Sequence, residues 1–110
     1  MKKRTVPINI DPDEFRRSGH KLIDQIADFI KGIEEMKVTK GEDPTSLLQT
    51  LVKRDLPENG TSTQEILDRS SKLLFEHSLL NGHPKFLGYI TSSAAPIGAL
   101  ADLLATLVKQ

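Results

Sequence analysis

The sequence predicts a mostly α-helical chain of about four helices, with one short extended segment at 85–90. Three observations carry this. Apolar residues recur at helical spacing over 15–33, 66–80 and 97–108. Helix-start signals stand ahead of these stretches. The single β-prone run, Phe86-Leu87-Gly88-Tyr89-Ile90, is brief and isolated.

The first helix is predicted over 12–35. Asp11 suits the N-cap, Pro12 the first helical position, and Glu14 the acid of a capping box. Phe15, Leu22, Ile23, Ile26, Ile30 and Ile33 form a stripe, with charged residues on the other faces. At ~1.5 Å per residue, this amphipathic helix would be roughly 35 Å long and would need a partner of similar length. Residues 37–62 read as a connection broken by Gly41, Pro44, Pro57, Asn59 and Gly60, with one short helix from Pro44 toward Val52. A second long helix is predicted over 63–81, with Ser62 and Glu65 as its capping box and Asn81-Gly82 as its stop. His83 to Ala95 is predicted as an extended segment followed by a small-residue loop. Pro96 opens a last helix over 96–110, apolar around most of its surface and so expected to be buried. No helix-stop residue precedes Gln110, so the expectation is that this helix belongs to a larger fold.

Composition narrows the function. The chain has 110 residues, 15 basic and 15 acidic side chains and no cysteine. One domain's worth of residues is present. Zero net charge argues against a partner that is nucleic acid or an anionic membrane. The absence of cysteine excludes a disulfide framework and a thiolate metal site. No apolar run reaches 18 residues, and the acidic residues after Met1-Lys2-Lys3-Arg4 are unlike a signal peptide, so the cytoplasm is the default compartment. Asn59-Gly60-Thr61 matches a glycosylation sequon, which carries no weight without a secretory signal. Charge is uneven: residues 83–110 hold only Lys85, Lys109 and Asp102, as expected of a segment covered on most sides.

Few residues suggest chemistry. His20, His77 and His83 lack metal-ligand spacing and read as solvent or core-edge histidines. There is no phosphate-binding glycine loop and no nucleophile elbow. The one notable constellation is Gly88-Tyr89-Ile90-Thr91-Ser92-Ser93 ahead of the helix at Pro96. Its residues read two ways. It is an ordinary N-cap loop with Tyr89 half-buried, or it offers hydroxyls, free N–H groups and a ring to a small anionic ligand.

Glu14-Phe15-Arg16-Arg17, opening a helix that continues through Ile33-Glu34, resembles the N-terminus of the group II pyridoxal-phosphate-dependent amino-acid decarboxylases. The stretch from His83-Pro84-Lys85-Phe86-Leu87-Gly88-Tyr89 through Ala95-Pro96 to Leu100-Ala101-Asp102-Leu103-Leu104 is similar to a family segment almost position for position. Leu56-Pro57 and Ile66-Leu67 fall between them where the family has similar residues. The likeness is strongest to the aromatic-L-amino-acid and tyrosine decarboxylase branch, and it spans about residues 14–110.

The resemblance implies the N-terminal helical extension of a fold-type-I enzyme, a homodimer with an amino acid as substrate. Residues 12–35 would clamp the partner subunit. Residues 83–95 would line the substrate pocket through Tyr89, Ile90, Thr91 and Ser92. Tyr89 matches an aromatic pocket residue of that branch, Ile90 stands in place of a Phe, Thr91 of a Pro and Ser92 of a Thr. The resemblance places the Schiff-base lysine and the other holders of pyridoxal 5'-phosphate downstream of this segment. The cofactor then acts in the parent enzyme as electron sink once the α-carboxylate leaves as CO₂. This chain alone is expected to hold none covalently and to be inactive. The alternative is a free-standing all-α homodimerisation or adaptor module without catalysis, its helices pairing across a two-fold axis.

Overall fold

The computed structural model describes residues 9–51 and 56–108. They form four helices in chain order, α1 (Pro12–Gly32), α2 (Pro44–Thr50), α3 (Thr63–His77) and α4 (Pro96–Val108), and no strand among the described residues. A 3-10 turn, Ile33–Glu35, prolongs α1. No helix is long and apolar enough to cross a membrane among the described residues.

The starts of α1, α2 and α3 each follow a side-chain cap. Asp11 accepts from the Asp13 and Glu14 amides at 2.9 and 3.4 Å. Asp43 caps α2 through Thr45 and Ser46. Ser62 accepts from Glu65 N–H at 3.2 Å. These bonds satisfy amides that have no partner within the helix. In the connection, Gly41 turns the chain at φ +64, a conformation that costs glycine little.

α1 and α3 run in the same direction. Near the start of the pair, Lys21 Nζ donates to Asp68 Oδ2 at 2.8 Å. Gln25 and Gln64 both donate to Asp68 Oδ1 at 2.9 Å. Near its end, the Phe29 and Phe75 rings stack, with centroids 4.4 Å apart and planes 7° from parallel. Ser18 on α1 and Ser71 on α3 are both buried. The Ser71 hydroxyl donates to the Leu67 carbonyl at 2.7 Å, so it is satisfied within its own helix.

A parallel pair needs a connection that spans back toward the helix starts, and α2 lies in the stretch between α1 and α3. The stretch after α1 then meets the stretch after α3. Leu80 N–H donates to the Val38 carbonyl at 2.9 Å. His77 Nδ1 lies 2.5 Å from Glu42 Oε2. Leu80 is the one buried hydrophobic residue among those described. The radius of gyration, 17.3 Å, exceeds the ~13 Å of a compact chain of this size, so much apolar surface stays uncovered.

Several boundaries differ from the sequence expectation. The second long helix ends at His77 rather than 81, because Ser78 turns extended and the Leu80 amide leaves for Val38. Asn81-Gly82 belong to the following turn, closed by His83 N–H on the Leu80 carbonyl at 3.0 Å. The helix after Pro44 ends at Thr50, and Val52 lies outside the described residues. Residues 85–90 form no strand. Phe86 N–H bonds the His83 carbonyl at 2.9 Å, which bends the chain, and no second strand lies beside it. The helix expected over 96–110 is described to Val108 and, within this chain, has no buried residue. None of the described elements buries it, so its apolar faces meet solvent.

The Lys21 ammonium, then the Gln25 amide, hold the Asp68 carboxyl below the ordinary value of 3.8. A lowered folded value means the stabilisation is complete above 3.8 and is lost as pH falls through the lowered value. Asp68→Asn is therefore expected to remove part of the acid sensitivity of the urea midpoint below that pH, and to lower the midpoint at neutral pH. Phe29→Ala is expected to cost about 2 kcal/mol in the same titration, below the range for a fully buried ring because Phe29 is half-buried.

Candidate functional site

The residues singled out by sequence lie on a loop from Gly82 to Ser93 that leaves the α1–α3 junction and returns to it. The two ends come together: a Cβ added at Gly82 would sit 3.7 Å from Ile33 Cδ1 and 4.0 Å from Ser93 Cβ. A compact surface loop with adjacent ends is an Ω-loop, a form often put to functional use.

Its foot is built around His83, which is 4% exposed. Nε2 lies 2.9 Å from the Met36 carbonyl, and Lys85 N–H donates to Nδ1 at 3.0 Å. With Nδ1 accepting from the Lys85 amide, Nε2 is the nitrogen left to donate to the Met36 carbonyl. Sequence spacing placed His83 among solvent or core-edge histidines. The structure makes it a structural histidine with both nitrogens engaged, which its Pro84 neighbour alone did not reveal. Further out, the Phe86 ring packs 3.8 Å from where a Gly88 Cβ would be.

The outer part of the loop is open. Leu87 is 94% exposed, Tyr89 86% and Ile90 fully exposed. Thr91 and Ser92 are exposed as well. The structure thus brings Tyr89, Ile90, Thr91 and Ser92 together on one protruding segment, where all four side chains face solvent among the described residues. The reading of Tyr89 as half-buried is corrected, because the loop projects away from the helices. Tyr89 has φ 56, the only positive value among the described non-glycine residues. This left-handed conformation costs an L-residue roughly 1–2 kcal/mol. Such strain is found where a side chain is held in a required direction.

The described lysines do not fit a Schiff-base cofactor. Lys21, Lys31, Lys37, Lys40, Lys72 and Lys85 are all exposed, whereas an amine tuned for that chemistry is desolvated or set beside another cation. No group of three or more His, Cys, Asp or Glu among the described residues could hold a metal ion. A groove of about 610 Å³, lined by Thr50, Leu51, Arg69, Lys72, Leu73, Glu76 and His77, lies between α2 and α3 and includes no residue of the Tyr89 loop.

Tyr89→Gly is expected to raise the stability of the chain by up to ~1 kcal/mol, since glycine adopts this backbone without the Cβ clash. Urea titration followed by circular dichroism measures it. A loss of stability would show that the ring makes contacts outweighing the strain.

Comparison with known proteins agrees with the motif reading. The chain is 34% identical over 97 residues to tyrosine/DOPA decarboxylase 1 of Papaver somniferum, covering 88% of this chain and 18% of that protein. It is 31% identical over 101 residues to tyrosine decarboxylase 4 of Petroselinum crispum, covering 91% of this chain and 20% of the relative. It is 25% identical over 99 residues to the aromatic-L-amino-acid decarboxylase of Bacillus atrophaeus, covering 90% of this chain and 20% of that enzyme. The chain spans about a fifth of the length of the curated relatives it matches. No family model matches, and no solved structure matches. Its sequence identity, extending over about nine tenths of its length, makes this helical chain a homologue of a segment of the tyrosine/DOPA and aromatic-L-amino-acid decarboxylases.

Proposed function

We propose that this chain serves as the N-terminal, dimer-forming and substrate-facing segment of a pyridoxal-phosphate-dependent amino-acid decarboxylase. The observation that carries the reading is identity to decarboxylases over about nine tenths of the chain and only a fifth of theirs. The relatives are named for tyrosine, DOPA and aromatic L-amino acids, so an aromatic amino acid is the substrate class to try first.

The chain's own residues have two tasks in this reading. The first is to bind the partner subunit. Phe15, Ile23 and Ile30 form a row on α1 that α3 leaves 42, 40 and 48% exposed. Their spacing of eight and seven residues keeps them on one helix face, suited to a long partner helix. Ile66 and Leu74 add exposed apolar surface on α3, at 51 and 59% exposure. The second task belongs to the Tyr89 loop. It presents an aromatic ring, the Ile90 side chain and two hydroxyls to a substrate bound by the rest of the enzyme. The ring offers stacking for an aromatic side chain, and the Thr91 and Ser92 hydroxyls can donate to a carboxylate. No cofactor step is assigned to this chain, whose described lysines are exposed.

Treatment with pyridoxal phosphate and borohydride is expected to leave no stoichiometric adduct at any single lysine of this chain; such an adduct overturns the reading. In the complete decarboxylase carrying this segment, Tyr89→Ala is expected to raise KM for an aromatic amino acid several-fold, in line with the loss of one aromatic contact. Unchanged KM removes Tyr89 from the pocket. Sedimentation of the chain is expected to show a dimer that Ile23→Glu with Ile30→Glu converts to monomer.

A further inference from the structure

We propose that His83 is a positioning residue, clasping the foot of the Gly82–Ser93 loop to the end of α1 and so setting where Tyr89, Ile90, Thr91 and Ser92 are presented. The role rests on the reading of that loop as substrate-facing; the clasp itself rests on geometry. His83 is the one buried titratable side chain among the described residues. Its ring joins two parts of the chain 47 residues apart, through Nε2–H and the Met36 carbonyl at 2.9 Å. Its other nitrogen receives the Lys85 amide at 3.0 Å, and its own carbonyl receives the Phe86 amide at 2.9 Å. One residue thereby fixes the direction in which the loop leaves the junction.

The return of the loop is fixed less firmly. Ser93 approaches Gly82 and Ile33 by van der Waals contact. Between these ends, the Phe86 ring against Gly88 is the internal packing contact that stiffens the loop. A segment so exposed keeps a strained residue such as Tyr89 in place only if its base does not swivel. The Met36 bond is the long-range restraint at that base, while the Lys85 and Phe86 bonds shape the turn locally.

The two ring nitrogens can be separated by substitution. Gln at 83 keeps a donor that reaches toward the Met36 carbonyl. Asn keeps a short-range acceptor for the Lys85 amide but does not reach Met36. Tyr89 is the sole tyrosine of a chain without tryptophan, so intrinsic fluorescence reports this loop alone. The experiment measures Tyr89 anisotropy and amide exchange at Lys85 and Phe86 for the unsubstituted chain, His83→Ala, His83→Gln and His83→Asn, with helix content followed by circular dichroism.

The expected result for His83→Ala is lowered Tyr89 anisotropy and exchange faster by about tenfold at Lys85 and Phe86, the order of one hydrogen bond, with helix content kept. His83→Gln is expected to restore anisotropy more than His83→Asn. Unchanged anisotropy in His83→Ala overturns the proposal. So does equal restoration by Asn, because the local turn would then suffice. If His83→Ala loses its helices, the Gln and Asn variants decide; loss of helix in both makes His83 a core residue and overturns the positioning role. No readout contains an amino acid or cofactor, so this failure is distinct from failure of the decarboxylase reading, which appears as unchanged KM in Tyr89→Ala.

Discussion

Asp68 accepts hydrogen bonds from Lys21 and Gln25 of α1 and from Gln64 of its own helix, and the rest of the fold follows from the helix pairing it helps to fix. An exposed ion pair is worth little by itself. Here it is joined by two amides and followed along the same interface by the Phe29–Phe75 stack, so that polar register and apolar burial favour the same alignment. Because that alignment is parallel, both helices end on the same side. The chain segments leaving them meet there and exchange the Leu80–Val38 and His83–Met36 bonds. The Tyr89 loop springs from this junction. Its place is therefore set by a side-chain network that joins α1 to α3 across more than 40 residues of sequence, Lys21 and Gln25 to Asp68.

Local chemistry made the helix starts legible. Asp11, Asp43 and Ser62 cap where a short polar residue precedes Pro or a helical run, because the orphan amides of the first turn demand such an acceptor. The ends were less legible. Asn81-Gly82 carries a strong stop signal, yet α3 ends at His77, since the Leu80 amide gains a partner in Val38 that a helix window does not contain. The parallel course of α1 and α3 was equally hidden. It depends on which polar residues meet across the interface, and periodicity shows only that an apolar face exists.

The loop shows the same division. Its residues were picked out by motif, but their conformation was not. Phe86 to Ile90 are β-prone, which favours extension only when a neighbouring strand accepts the ladder bonds. With none beside it, the chain closes a turn on His83 and places Tyr89 in the left-handed region. His83 itself could not be singled out. A histidine followed by proline suggests a turn, whereas its burial follows from the Met36 carbonyl 47 residues earlier.

The small core leaves a large apolar surface exposed. Ile97, Leu100, Leu103, Leu104 and Leu107 are 49–76% exposed on α4, with no charged residue on that helix other than Asp102. Covering a side chain of this kind contributes roughly 1.5–3 kcal/mol relative to full exposure. Half that gain on each of five residues, about 4–7 kcal/mol in all, reaches only the lower part of the ~4–15 kcal/mol cost of bringing two bodies together. The Phe15, Ile23 and Ile30 row on α1 adds to it. Burying this surface would therefore favour association, the step on which the proposed dimer rests. In the decarboxylase reading the surface covered in the dimer and the Tyr89 loop flank the same junction, so subunit pairing and substrate contact depend on one pair of helices.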